Sequence, residues 1–210
     1  MVVLAAPNST CRGPKLKIKN IFLDRDGTII RDQHYLKDPD RVVFLPGALE
    51  LLARMRQAGL KIYVVTNQSG IARGYLTSRD YQQVHQAMLN LMHQQGTGID
   101  DSMFCPHGPD ENCSCRKPAP GMWKTLAGSH RLKAGESIVI GDKMSDLLFG
   151  MNSGFRAGVL VLTGKGRQTL EDLPCPGTWS GPFQTTEVQG FSVIIVRDLN
   201  GVWAWLKDRI

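Results

Sequence analysis

The sequence predicts an α/β protein: a parallel sheet with helices packed on both faces. Three observations lead there. Short apolar runs alternate with helical segments along the chain, the runs are rich in β-branched residues, and a small polar or acidic residue stands where several of them end. Strands separated by helices form crossover units, and such units build a parallel sheet covered on both sides.

Taken in order, residues 1–16 read as a loose leader with Pro, Asn, Ser, Thr and Gly and no periodicity, and residues 17–210 as a single domain. Residues 19–24 (KNIFLD) suit a buried strand, because a strand covered on both faces is continuously apolar rather than alternating. Pro46 opens an amphipathic helix to about Gln57, with Gly59 as its stop. Residues 61–66 (KIYVVT) are a second strand, and Thr77 is placed to cap a helix reaching about Gln95. Met103 and Phe104 fit a short strand, and Pro120 starts a helix running to Leu126. Residues 137–140 (SIVI) form a strand that ends at Gly141 and Asp142, followed by a helix over about 145–151. Residues 157–162 and 192–196 are two more strands, and a last helix covers about 199–207. Between them, residues 172–190 are rich in Pro, Gly, Thr and Gln and read as a long surface loop.

Composition narrows the class. The 210 residues are 42% apolar and 21% charged, which is ordinary for a protein with a packed core. The net charge of +6 suits an anionic ligand, but Lys and Arg are scattered without a block of like charges, so no nucleic-acid partner is expected. No apolar run approaches the roughly 18 residues of a membrane span. The start, MVVLAAPNST, lacks the basic and apolar regions of a signal peptide. Three of the five cysteines crowd into residues 105–115, a pattern that suits a reduced, cytoplasmic chain better than a disulfide framework. Cys11 and Cys175 stand alone and read as incidental.

Asp24, Thr66 and Asp142 each fall at the carboxyl end of an expected strand. In open α/β sheets that edge forms the ligand crevice. In FLDRDGT, Asp24 and Asp26 are two residues apart and Gly27 lets the chain turn sharply away. A carboxylate such as Asp24 can attack phosphorus, forming an aspartyl-phosphate and splitting hydrolysis into two easier steps. A second carboxyl, Asp26, can protonate the leaving alcohol and then deprotonate the attacking water. Asp142, in GDKMSD, adds a third carboxylate, and hard oxygen donors next to a phosphate fit Mg²⁺. Asp146 is placed either behind these ligands or at a helix cap, and the spacing does not choose between them. After Thr66, successive backbone N–H groups in TNQSG can cradle phosphate oxygens. Lys117, held between Cys115-Arg116 and Pro118, can neutralise the phosphate. Singly, each of these residues has a bland reading as a turn, a cap or a solvated charge. Together, in this order at strand ends, they point to phosphate chemistry.

A second signal is separate from the first. Cys105-Pro-His107, five residues, then Cys113-Ser-Cys115 supplies three thiols and an imidazole, the donor set of a closed tetrahedral zinc site. With all four positions filled by protein, such a zinc is structural: it would order a loop without a core and aim Arg116 and Lys117.

DRDGT, TNQ, the RKP lysine and GDK-x-x-D resemble the four motifs of the haloacid dehalogenase superfamily of phosphatases, over roughly residues 18–165. The resemblance implies a Rossmann-like fold without a large cap domain. Within it, the zinc loop with TNQSGIARG resembles the branch acting on heptose bisphosphate, an enzyme of surface-glycan supply. It implies Asp24 as nucleophile and Asp26 as acid/base; Mg²⁺ held by Asp24, Asp142 and the backbone carbonyl of Asp26; and Zn²⁺ held by Cys105, His107, Cys113 and Cys115. It further implies substrate contacts from Asp32, Gln33, His34 and Tyr35, from Thr66, Asn67, Gln68 and Ser69, and from Arg116, Lys117 and Lys143. The expected partner is one small phosphorylated sugar, bound by a monomer. The rival is the histidinol-phosphate branch, whose second motif reads closer to TNQDG than the TNQSG found here. A phosphotransferase using the same intermediate stays open, and a scaffold with decayed motifs is opposed by the intact acidic set. The short zinc loop, the leader and residues 172–190 depart from the superfamily pattern.

Overall fold

A computed structural model describes residues 17–174, 179 and 181–210, so the expected leader lies outside the described residues. Its elements are β1 (Asn20–Leu23), α1 (Ala48–Gln57), β2 (Lys61–Asn67), α2 (Ser78–Gln94), β3 (Asp101–Cys105), α3 (Gly121–His130), β4 (Ser137–Gly141), α4 (Met144–Asn152), β5 (Ala157–Val161), α5 (Gly166–Glu171), β6 (Phe183–Val188), β7 (Phe191–Val196) and α6 (Leu199–Leu206). They build one seven-stranded sheet in the order β3-β2-β1-β4-β5-β7-β6.

All neighbours are parallel except β6 and β7. The expected parallel sheet is thus present with one antiparallel strand at its edge, and the expectation of a surface loop over 172–190 is corrected. Phe183–Val188 is an antiparallel edge strand, joined to β7 through Gln189 and Gly190, both at positive φ (50° and 80°). Two residues at positive φ make the tight turn whose twist suits a hairpin. The strand was hidden because only one of its faces is covered and its FQTTEV sequence is largely polar. Helix α5 also went unread, since six residues are too few to show a helical period.

Alternate residues of each strand feed opposite cores. On one face Ile21, Leu23, Ile62, Val64, Ile138 and Ile140 pack with residues of α1, α2 and α6; on the other Phe22, Tyr63, Val65 and Val139 pack with α3 and α4. This two-sided burial explains why β1 and β4 read as uninterrupted apolar runs. Helix α2 starts as expected at Thr77, whose side chain and that of Asp80 close a capping box. The connections after β1 (24–47) and β3 (106–120) are the longest among the described residues. No described helix is long and apolar enough to cross a membrane.

The topology determines where chemistry can sit. From β1 the chain builds outward through β2 and β3 on one side and then, through β4 and β5, on the other. The strand order reverses between β1 and β4, and a crevice opens at their carboxyl ends. Asp24 follows β1 directly and Asp142 follows β4.

Candidate active site

Asp24, Asp142, Asp146 and Lys117 are all buried at this switch point. One oxygen of each of the three carboxylates lies within 4.8 Å of the others. The Lys117 ammonium stands among them, 2.8 Å from Asp24 Oδ1 and 2.7 Å from Asp146 Oδ1, and also donates to the Val65 carbonyl at 2.6 Å. Asp146 plays both roles that its spacing allowed, because its Oδ2 accepts the Lys143 backbone N–H at 3.0 Å at the start of α4. A second ammonium, that of Lys143, lies 3.4 Å from Asp24 Oδ2, 3.2 Å from the Asp26 carbonyl oxygen and 3.4 Å from Asp142 Oδ1.

Three buried acids facing two ammoniums distort proton affinities. Burial opposes charge on Asp24, but Lys117 and Lys143 overcome it and hold that carboxyl far below the usual range. Asp142 goes the other way: burial, with Asp24 beside it, pushes it up to about 7. Burial disfavours both lysine charges, yet Asp24 with Asp146 keeps Lys117 raised and Asp24 with Asp142 keeps Lys143 raised. The arrangement thus keeps Asp24 an ionised carboxylate between two flanking cations.

Replacing Lys117 by Met should therefore be severe. It leaves Asp24 and Asp146 buried without their shared counter-charge, and stability measured by urea denaturation is expected to fall by about 3–5 kcal/mol. A loss below about 1 kcal/mol would show that the two acids do not depend on it.

Asp26 leaves the strand with its carboxylate turned to a different set of partners. Buried Arg25 grips it with Nε at 3.0 Å and Nη2 at 3.1 Å, Gln68 Nε2 donates to it at 2.8 Å, and Thr66 Oγ1 lies 3.5 Å away. Gly27 has φ of 89°, and a Cβ there or at Gly164 would overlap Oδ2 of Asp142, so two backbones meet over that acid. Arg25, inside DRDGT, is not among the residues the sequence singles out. Nor is the loop after β5, where the Thr163 hydroxyl donates to the Gly27 carbonyl and the Lys165 N–H to Asp142 Oδ2. The TGKG that follows a strand end was the available signal for that loop.

A pocket of about 190 Å³ opens over these groups, lined among others by Asp26, Asp32, His34, Tyr35, Gln68, Ser69, Lys143 and Lys165. His34 and Tyr35 both adopt positive φ, and the Tyr35 ring packs on Tyr75 at 4.7 Å. Not every expected contact residue faces this pocket. Gln33 is outside its lining and donates to the Arg41 carbonyl at 2.6 Å, whereas Asn67 lines the pocket while its amide bonds the N–H and C=O of Lys117, both at 3.0 Å, and so positions the lysine backbone. Arg116 donates to the His107 carbonyl at 3.1 Å. A larger cavity of about 660 Å³ lies at the opposite edge of the sheet, beside Arg156 and Trp205, and holds none of the expected site residues.

Cys105, His107, Cys113 and Cys115 converge as their spacing predicts. The sulfurs are 3.2–3.6 Å apart, and His107 Nδ1 lies 3.5 Å and 3.3 Å from Cys105 and Cys115. With Zn–S near 2.3 Å, sulfurs at tetrahedral corners are roughly 3.8 Å apart, so the four donors fit that ion with slight expansion. The loop is tied to the site on both sides: the Gln68 N–H bonds the Cys105 carbonyl at 2.7 Å, and Lys117 follows Cys115 by two residues.

A HAD-hydrolase-like family model matches residues 114–180. A D-glycero-beta-D-manno-heptose-1,7-bisphosphate 7-phosphatase of Bordetella bronchiseptica is 40% identical over 154 residues, 73% of this chain and 86% of that one. The chain belongs to the heptose-bisphosphate phosphatase family. Its Helicobacter pylori member is also 40% identical, over 69% of this chain and 84% of that protein. The crystal structure of the B. bronchiseptica D,D-heptose 1,7-bisphosphate phosphatase, complexed with magnesium and phosphate, superposes with a TM-score of 0.77 at 35% identity, covering 92% of this chain and all of that one. As a member of this family the protein is a phosphatase of the HAD-like fold.

Proposed function

We propose that the protein is a Mg²⁺-dependent phosphomonoesterase that removes the 7-phosphate of D-glycero-β-D-manno-heptose 1,7-bisphosphate through an aspartyl-phosphate. The observation that carries this is the buried Asp24 held ionised between Lys117 and Lys143 at the switch point, in a chain two-fifths identical to enzymes named for that reaction.

Asp24 is the nucleophile, and its Oδ atom forms a bond to phosphorus as the bond to the sugar oxygen breaks. Asp26 gives that oxygen its proton, then takes one from the water that hydrolyses the aspartyl-phosphate. Lys117 holds the charge of nucleophile and phosphate together, while Thr66, Ser69 and the backbone after β2 receive the phosphate oxygens. Asp32, His34 and Tyr35 face the sugar, and Arg116 and Lys143 complete the anion site.

Asp24 Oδ2, the Asp26 carbonyl and Asp142 Oδ1 fit a magnesium ion, because all three turn toward one cation, and Asp142 Oδ1 is buried without a hydrogen bond. A bound Mg²⁺ supplies charge neutralisation between anionic nucleophile and anionic phosphate. Zn²⁺ bound by Cys105, His107, Cys113 and Cys115 serves structure alone. The thiolates this requires persist in a reducing compartment, which supports a cytoplasmic location.

Turnover of heptose bisphosphate and histidinol phosphate, compared on purified protein, tests the substrate. Heptose bisphosphate should be the better substrate by kcat/KM, and faster hydrolysis of histidinol phosphate would sink the assignment.

A further inference from the structure

The three oxygens that fit magnesium already have a cation. Lys143 Nζ lies 3.2–3.4 Å from Asp24 Oδ2, the Asp26 carbonyl and Asp142 Oδ1, and these oxygens come from two different strand ends. Two of them belong to acids buried to 3% exposure or less, and among the described residues Lys143 is the one ion-pair partner of Asp142. Magnesium requires its oxygens at about 2.0–2.1 Å in near-ideal octahedral order. An ammonium drawing on the same lone pairs and a doubly charged ion a few ångströms away repel strongly in a buried setting. The side chain is 34% exposed and lines the substrate pocket together with Asp32 and Ser69, so it has a way out.

We propose that Lys143 is a resident counter-cation: it gathers the three metal-binding oxygens in the metal-free protein and is displaced into the substrate pocket when the divalent ion binds. Resting on the magnesium reading above, this couples metal loading to delivery of a positive charge where substrate phosphate arrives. The residue then has two positions, and the metal selects between them. Its displacement lowers magnesium affinity in the absence of substrate, and the anion of the substrate restores it.

Calorimetric titration of Mg²⁺ into wild type, Lys143→Met and Lys143→Arg provides the test. Lys143→Met should bind Mg²⁺ about 5-fold tighter or more, and Lys143→Arg should not. Equal or weaker binding by Lys143→Met overturns the proposal, as does equal tightening by Lys143→Arg. Because the Met variant removes charge from a buried cluster and could fail to fold, the wild type carries a second measurement. Adding Mg²⁺ should speed acylation of Lys143 by an amine-reactive ester, read by mass spectrometry against Lys61 as internal standard. Unchanged or slower acylation overturns the proposal even if the protein binds the ion. Absence of any Mg²⁺ binding by wild type instead overturns the magnesium reading itself, and this proposal with it.

Discussion

Asp24→Asn is expected to lower kcat for phosphate release by at least about 10⁴-fold while the protein stays folded. The amide keeps the shape of the side chain but cannot form an acyl phosphate. Nothing else in the pocket replaces it, since Asp26 is turned to Arg25 and Gln68 and Asp146 is bound to Lys117. Stability should hold for a separate reason. Lys117 keeps Asp146 at 2.7 Å and the Val65 carbonyl at 2.6 Å, and Lys143 keeps Asp142. Two acids then face two ammoniums in the metal-free state, where three did before. Circular dichroism and thermal unfolding should therefore match wild type, and hydrolysis that survives the change would remove Asp24 from the nucleophile's role.

Zinc removal is expected to give the opposite signature. A ligand present at roughly 1,000 times its dissociation constant stabilises by about 4 kcal/mol, and for a chain of this size each kcal/mol moves Tm by about 2–4 °C. Chelation followed by restoring Mg²⁺ should thus lower Tm by roughly 8–16 °C. Activity should fall with it, because the loop shares Cys105 with the Gln68 N–H and leads straight into Lys117. Cys113→Ser should reproduce the shift. A gently purified protein without zinc by metal analysis, or a Tm unmoved by chelation, would count against the four ligands.

Much of the site was legible because its residues stand where apolar runs stop abruptly. Asp24 and Asp142 end strands buried on both faces, so the change from apolar to acidic is sharp. The Cys/His cluster was legible for another reason, since thiols and imidazole within one short segment have few other uses. Lys117 was harder. One lysine among many gains meaning from CRKP alone only by resemblance, and its burial between Asp24 and Asp146 arises from contacts 93 residues apart in one case. Asp146 could not be decided from spacing because a single carboxylate does two jobs with its two oxygens. Arg25 was invisible because its grip on Asp26 depends on rotamers. Strand β6 was missed because an edge strand exposes one face and needs little apolar content.

The strand that carries Asp24 gains its second neighbour only when β4 has been made. β1 pairs on one side with β2, about forty residues on, but on the other with β4, where Asn20 lies opposite Ser137. While the chain is being synthesised, a half-sheet of β3, β2 and β1 can form with the inner edge of β1 bare, and a bare apolar edge invites pairing with other chains. A product truncated before residue 137 is thus expected to aggregate rather than persist as a partly working enzyme. Asp142 and the cover for the inner edge of β1 arrive with the same stretch of polypeptide.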